Sequence, residues 1–184
     1  GLQCHKQLWF HKNHPDLKDP VDANLQAIFD TGHEVGELAT QLFPDGQMLP
    51  CDDLSFGQQI DTKREWIEQG VETIYEAAFS EKGVFARVDI LHKGPDGWEL
   101  YEVKSSTQAK EVYVQDVAVQ TWILKQAGLK VSKSVLSTLD TTYRRQGDID
   151  VQGLFAYHDL TEQANALQGF VETEIDGMKA MLTK

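Results

Sequence analysis

The spacing of apolar and polar residues predicts a chain in which helices alternate with strands. Apolar or small residues recur at helical spacing over residues 22–43, and a Pro-Asp-Gly turn ends that segment. Helical patterns return over residues 58–69, 110–127 and 161–182, the last with Thr161 as its predicted cap. Strand patterns cover residues 73–79, 84–93, 98–105, 131–139 and 151–157, although 75–78 could instead extend a helix. This order predicts an α/β fold with a mixed central sheet flanked by helices.

The segment Gly94-Pro95-Asp96-Gly97 separates two of these strands and predicts a hairpin. Proline presets φ for the second position of a type I turn, and glycine suits the fourth. We therefore expect residues 84–93 to pair antiparallel with residues 98–105, in a register symmetric about the Pro95-Asp96 bond. The expected cross-strand partners are Leu91 with Leu100, Ile90 with Tyr101, Asp89 with Glu102, Val88 with Val103, and Arg87 with Lys104.

This register predicts one apolar face and a second face that carries the four charges of Arg87, Asp89, Glu102 and Lys104. Carboxylates on directly opposed residues, with Cβ atoms ~5 Å apart, repel each other and destabilise the pair. A bound divalent cation would reverse that effect, because the two acids would become its ligands. Two alternatives remain: an ordinary solvent-facing hairpin, and a one-residue bulge at Gly97 that would send the two acids to different faces.

Composition narrows the classes of function. With 184 residues, of which 41% are hydrophobic, the chain can bury the core of one domain. A formal net charge of −12 counts against a protein that coats DNA non-specifically, since that affinity comes from Lys and Arg. It does not count against a nuclease, whose metal-binding carboxylates add negative charge. No apolar run approaches the ~20 residues of a membrane span, and the two cysteines, Cys4 and Cys51, favour a reducing cytoplasm.

Several of these residues occur in an order that resembles the PD-(D/E)XK nuclease superfamily. The chain is most similar to its RecB-like branch, which includes CRISPR-associated exonucleases, and to a bacterial group of uncharacterised RecB-like proteins that opens with a Cys-x-x-x-Leu-Trp segment. The likeness covers roughly residues 4–145. The residues that carry it are, in order, His33, Glu76, Asp89, Glu102-Val103-Lys104 and Gln120.

The resemblance implies a restriction-endonuclease-like core in a single domain over residues 1–184, cut from a longer protein. It implies that His33, Asp89, Glu102 and the Val103 carbonyl bind Mg²⁺ or Mn²⁺. Lys104 would orient or activate the attacking water. Other residues would have supporting roles: Gln120 would hold the site from its helix, Glu76 would serve a second metal or position water, and Arg87 would add a second positive charge. Cys4 would bind a 4Fe-4S cluster only if the full-length protein has later cysteines.

The expected function is a metal-dependent deoxyribonuclease that hydrolyses DNA phosphodiester bonds in repair, recombination or defence. The alternative is a catalytically silent, nuclease-derived module that binds nucleic acid or a protein. A small-molecule phosphoester hydrolase is a third possibility. Without the resemblance, His33 reads as an ordinary helix residue, and Gln120 reads as the partner of Asp116 one helical turn away.

Overall fold

The structure is a computed structural model that describes residue 2 and residues 4–183. Its α-helices are α1 (His5–Asn13), α2 (Ala23–Thr40), α3 (Phe56–Glu68), α4 (Glu111–Gln126), α5 (Val151–Leu154), α6 (Thr161–Ala166) and α7 (Gln168–Leu182). Its strands are β1 (Gln47–Met48), β2 (Thr73–Glu81), β3 (Val84–Lys93), β4 (Trp98–Val103), β5 (Val131–Leu139) and β6 (Phe155–Asp159). A short 3-10 turn covers Pro15–Leu17. None of the described helices combines the length and the apolar character that crossing a membrane requires.

The strands form one mixed sheet in the spatial order β1-β2-β3-β4-β5-β6. The β2, β3 and β4 strands make an antiparallel meander, whereas β1 runs parallel to β2 and β5 runs parallel to β4. Parallel neighbours need a crossover connection, and α4 provides it between β4 and β5. The predicted α/β fold, with a mixed sheet and flanking helices, is therefore confirmed.

Two apolar clusters lie on opposite faces of the sheet. One contains Leu91 and Leu100 together with residues of α4, α6 and α7, and the other contains Ile90 with residues of α2. Neighbouring residues of a strand point to opposite faces, so the assignment of Leu91 and Ile90 to different clusters places helices on both sides. Helix α4 is buried around much of its circumference, which fits its place as the crossover between two strands.

The predicted hairpin register is confirmed over the pairs Ile90–Tyr101 to Lys93–Trp98. The bulge considered at Gly97 does not shift this pairing, and the irregularity lies instead between β4 and β5, at Trp98 and Glu99. Among the described residues the Gly97 N–H does not donate to the Gly94 carbonyl, which is the bond that closes a type I turn; instead the Gly94 N–H donates to the Gly97 carbonyl at 2.9 Å. Glycine is required at Gly97, where φ is +153° and an added Cβ would lie 2.5 Å from the Lys130 carbonyl oxygen.

The prediction of one apolar and one charged face is wrong. Asp89, Leu91, Leu100 and Glu102 share a face by strand alternation, and both leucines are fully buried on it. The acids therefore lie at the end of a packed face and not along an open, charged one. A buried setting makes their charges harder to satisfy.

The later part of the chain departs from prediction in two places. Residues 151–157 begin as the single turn α5, which brings Val151 and Leu154 against the α2 cluster, before β6 starts at Phe155. The predicted helix 161–182 divides at Leu167 into α6 and α7. Thr161 is not its cap, since its hydroxyl accepts a hydrogen bond from the Ser134 N–H at 2.9 Å.

Candidate active site

Asp89 and Glu102 lie immediately beyond the last ladder pair of β3 and β4. Asp89 Oδ2 accepts a hydrogen bond from the Val103 N–H at 2.7 Å, so a side chain continues the contact between the strands there. Glu102 is buried, with 4% of its surface exposed. Burial and, next, repulsion from Glu102 raise the pKa of Asp89 well above its ordinary value. The Glu102 carboxylate is thus close enough to oppose the ionisation of Asp89.

Glu76 brings a third acid to the same place from β2. The β2–β3 ladder contains Tyr75–Ile90 and Ala77–Val88 but has no pair between them, where Glu76 would face Asp89. At this position Glu76 has φ of +54°, a left-handed conformation that is unfavourable for a residue with a side chain and is usually maintained by its surroundings. The acids therefore occupy corresponding positions on three adjacent strands.

The electrostatic surroundings of Glu76 place two cations nearby. Burial raises the pKa of Glu76, Arg87 and His33 lower it, and Glu102 raises it further. His33 is exposed on α2, whose buried residues Val35 and Ala39 pack in the second apolar cluster. The structure thus brings His33 into the electrostatic neighbourhood of the acids, on the solvent side.

Both carboxylate oxygens of Glu102 have partners. Lys104 Nζ lies 2.5 Å from Oε1, and Gln120 Nε2 donates to Oε2. The same Lys104 ammonium lies 3.4 Å from Asp116 Oδ2. Burial alone would lower the pKa of Lys104, but its attraction to Glu102 and the hydrogen bond that it donates to Glu102 raise the pKa above its ordinary value. Lys104 is therefore a firmly protonated cation in this arrangement.

The Gln120 side chain interacts with the acid Glu102 and not with neighbouring residues of its own helix. It does not bond to Asp116, so the local pairing considered from the sequence is wrong. Its side chain is buried, and its Oε1 atom has no hydrogen-bond partner among the described residues. An unpartnered buried amide oxygen is unfavourable unless a further donor or ion meets it. Gln120 therefore orients Glu102 and leaves an acceptor free beside it.

The predicted register placed Arg87 opposite Lys104, and the structure does not. The β4 strand ends at Val103, and Arg87 pairs with Ala78 of β2. Its guanidinium turns toward α3, where Nε and Nη2 donate to Gln59 Oε1 at 3.1 and 3.0 Å. Within the described part of the chain, the remaining guanidinium donors have no acceptor and are available to a ligand.

Gln59 is the residue that sequence reasoning missed. It is 1% exposed, and its Nε2 donates to the carbonyls of Cys51 and Leu54, both at 2.8 Å. With its amide protons committed, its oxygen is directed to Arg87. The signal that would have found it is a glutamine on the core-facing side of an amphipathic helix, where an apolar residue is the norm.

Comparison with protein-family models, curated proteins and solved structures finds no match to this chain. Any functional interpretation therefore depends on the chemistry of the residues themselves.

The donor set fits a hard divalent cation. Within residue 2 and residues 4–183, no three His, Cys, Asp or Glu side chains are gathered closely enough to hold a metal ion as they stand. Nevertheless, Asp89 and Glu102 are repelling carboxylates on one face, and Gln120 Oε1 lacks a partner beside them. Carboxylate and carbonyl oxygens are the ligands that Mg²⁺ prefers, and an imidazole such as His33 moves the preference toward Mn²⁺.

A cleft of about 870 Å³ opens beside this group. Arg87, Asp116 and Gln120 line it from the sheet and α4, and α1 contributes His11 and Lys12. The cleft therefore reaches Gln120, which donates to Glu102, and Asp116, which lies beside Lys104, while the acids themselves are not among its described lining residues. Cys4, at the start of α1, is exposed and free, and its Sγ accepts from the Gln7 N–H at 3.4 Å as a helix cap.

Proposed function

We propose that this protein is a metal-dependent deoxyribonuclease with a restriction-endonuclease-like core of the RecB-like PD-(D/E)XK type. The observation that carries the proposal is the grouping of Asp89, Glu102 and Lys104 at the end of β3 and β4, next to an open cleft. Buried like charges are unfavourable for the fold and are understandable where a cation is to be bound. The proposed substrate is DNA, in repair, recombination or defence, and two free cysteines suit the cytoplasm.

Asp89, Glu102 and the Val103 carbonyl would hold Mg²⁺ or Mn²⁺, with His33 as an additional ligand on the solvent side. When bound, such an ion supplies a water of lowered pKa and offsets negative charge on the phosphate. Glu76, the third acid, would position water or serve a second ion. A 4Fe-4S cluster on Cys4 would require cysteines beyond this chain.

Lys104 acts as a cation in this proposal. Its raised pKa makes it a poor proton acceptor, so it orients the attacking water and offsets charge on the phosphate. The Glu102 carboxylate keeps its orientation through the Gln120 amide. Arg87, fixed by Gln59, offers planar guanidinium donors to a phosphate oxygen.

The second candidate is a nuclease-derived module that binds nucleic acid or a protein without cleaving. One observation favours it: Lys104 and Gln120 together occupy both oxygens of Glu102, as in a buried ion pair that only stabilises a fold. A module with that role has no use for the repelling Asp89 or for the unfavourable backbone of Glu76. These two residues favour the enzyme.

The test is incubation with linear and circular single-stranded and double-stranded DNA plus Mg²⁺ or Mn²⁺, beside Glu102→Gln and Lys104→Met variants. We expect degradation by the wild type, a loss of roughly 100-fold or more in both variants, and no activity in EDTA. Asp176→Asn, a change in the acid-rich last helix, is the control and should keep full activity. Degradation that survives both substitutions would refute the site, binding without degradation would favour the module, and activity on model phosphoesters alone would indicate a small-molecule hydrolase.

A further inference from the structure

Two phenylalanine side chains are exposed together at the edge of the cleft. Phe56 begins α3 and is 64% exposed, and Phe85 on β3 is 39% exposed. Their ring centroids are 4.8 Å apart at an angle of 51°. Both residues lie outside the buried and partly buried residues of the two apolar clusters. Single exposed apolar residues are common on protein surfaces, but two exposed aromatic rings from separate elements that contact each other need a further reason.

The cation beside this aromatic pair is Arg87. Its guanidinium carbon lies 5.6 Å from the centroid of the Phe85 ring, and Gln59 fixes two of its donors from the other side. Both Phe85 and Arg87 line the cleft. Arg87 also lies close enough to Glu76 to lower its pKa. Arg87 therefore lies close to both the aromatic pair and Glu76, one of the three acids.

We propose that Phe56, Phe85 and Arg87 form a nucleotide-binding subsite, in which the aromatic rings stack on an unpaired base and Arg87 binds the adjoining phosphate. A nucleotide presents a flat π face and an anion separated by one sugar, and this cluster presents an exposed ring and a guanidinium side by side. Every base has such a face, so stacking tolerates any sequence but requires the base to be unpaired. The inference rests on the proposed function and adds to it that the strand entering the site is single.

The lining of the cleft also carries positive charge. Its described residues include one acid, Asp116, and two lysines, Lys12 of α1 and Lys179 of α7. Phosphate neutralisation by such residues supplies sequence-independent affinity along a strand. A single strand would then pass between α1 and the Phe56–Phe85 pair on its way to Asp89 and Glu102.

The experiment measures binding without cleavage, by fluorescence anisotropy of an end-labelled oligothymidylate in EDTA, with all proteins in a Glu102→Gln background. We expect Phe56→Ala and Phe85→Ala each to weaken single-strand binding about tenfold, with the affinity for a duplex of the same length unchanged. Phe85→Leu keeps apolar surface but loses the ring, and it should behave like Phe85→Ala. Arg87→Ala should also weaken binding and reduce the slope of log affinity against log salt by about one.

Phe170→Ala is the matched control, since Phe170 on α7 is 45% exposed and does not line the cleft. Binding of oligothymidylate by Phe56→Ala and Phe85→Ala at the control level would overturn the subsite, as would an equal loss on the duplex. The outcome is separable from that of the nuclease proposal. A protein that binds through these rings but never cleaves supports the subsite alone, whereas one that cleaves with ring-independent binding supports the nuclease alone.

Discussion

Replacing Asp89 by asparagine should stabilise the metal-free protein. The carboxylate is buried, its pKa is raised by burial and by Glu102, and it lies in line with Glu76. Asparagine has nearly the same shape and can still accept the hydrogen bond from the Val103 N–H. A variant that loses function while gaining stability is the signature of a site whose residues serve a ligand and not the fold.

The magnitude follows from the geometry. Two unit charges ~5 Å apart at an effective dielectric constant of about 20 repel by about 3 kcal/mol. Against this, the hydrogen bond from the Val103 N–H becomes one to a neutral oxygen, which is weaker by about 1 kcal/mol, and Asp89 also loses its attraction to Lys104. The expected net gain in the free energy of unfolding is about 1–2 kcal/mol.

Urea denaturation in EDTA and in saturating Mg²⁺ or Mn²⁺ would measure this. In EDTA the Asp89→Asn variant should be the more stable protein. A metal at about 100 times its dissociation constant stabilises the protein that binds it by about 2.7 kcal/mol, so the order should reverse when metal is added. Asp96→Asn, in the exposed hairpin loop, is the control and should follow the wild type throughout. The reasoning fails if Asp89→Asn destabilises the metal-free protein, or if metal stabilises wild type and variant equally.

Three further changes have definite expected outcomes. Gln59→Leu should lower the free energy of unfolding by about 1–3 kcal/mol in urea denaturation and should weaken oligothymidylate binding. Combining it with Arg87→Ala should cause no further loss of binding, because both substitutions act through the same guanidinium, and additive binding losses would contradict this. Glu76→Gly should raise the free energy of unfolding by about 1 kcal/mol, because glycine adopts a φ of +54° without strain. The same substitution should reduce DNA cleavage, and full activity would show that Glu76 does not belong to the active site. Burial lowers the pKa of Lys63 from 10.5 to about 8, so its charge destabilises the fold below that pH. The shift corresponds to about 3 kcal/mol, and screening by solvent together with the Phe79 ring 3.8 Å away reduces the expected penalty to about 1–2 kcal/mol. That penalty disappears as the pH rises from about 8 to 10.5, because Lys63 loses its proton in the folded state at a lower pH than in the unfolded state. The stability advantage of Lys63→Met over the wild type should therefore shrink over this range, and a constant advantage would contradict the argument.

The hairpin was predictable because its determinants are local. A proline and two glycines between alternating segments specify where the chain reverses, and the period of two then specifies which residues face each other. The same is true of helix boundaries such as the start of α2, where Asp22 caps the helix by accepting from the Leu25 N–H at 2.7 Å. Strand β5 was predicted with its observed bounds.

The parts that were missed depend on contacts between distant segments. Nothing in the residues around Glu76 marks a left-handed backbone in mid-strand, at the one position where the β2–β3 ladder lacks a pair. The division of the last helix at Leu167 accompanies the Gln168 side chain, which donates to the Ala118 carbonyl of α4 at 3.2 Å. The link between Gln59 and Arg87 joins residues 28 positions apart. Local patterns carry no information about such pairings.

The central claim is that Asp89 and Glu102 hold the catalytic metal, and the most direct measurement is the anomalous scattering of Mn²⁺ soaked into crystals of the protein. We predict a peak bonded to both carboxylates and to the Val103 carbonyl, with Lys104 released from Glu102, and no peak there in Asp89→Asn crystals. A peak at another group of acids, or an unbroken contact between Lys104 and Glu102 at saturating Mn²⁺, would contradict the claim.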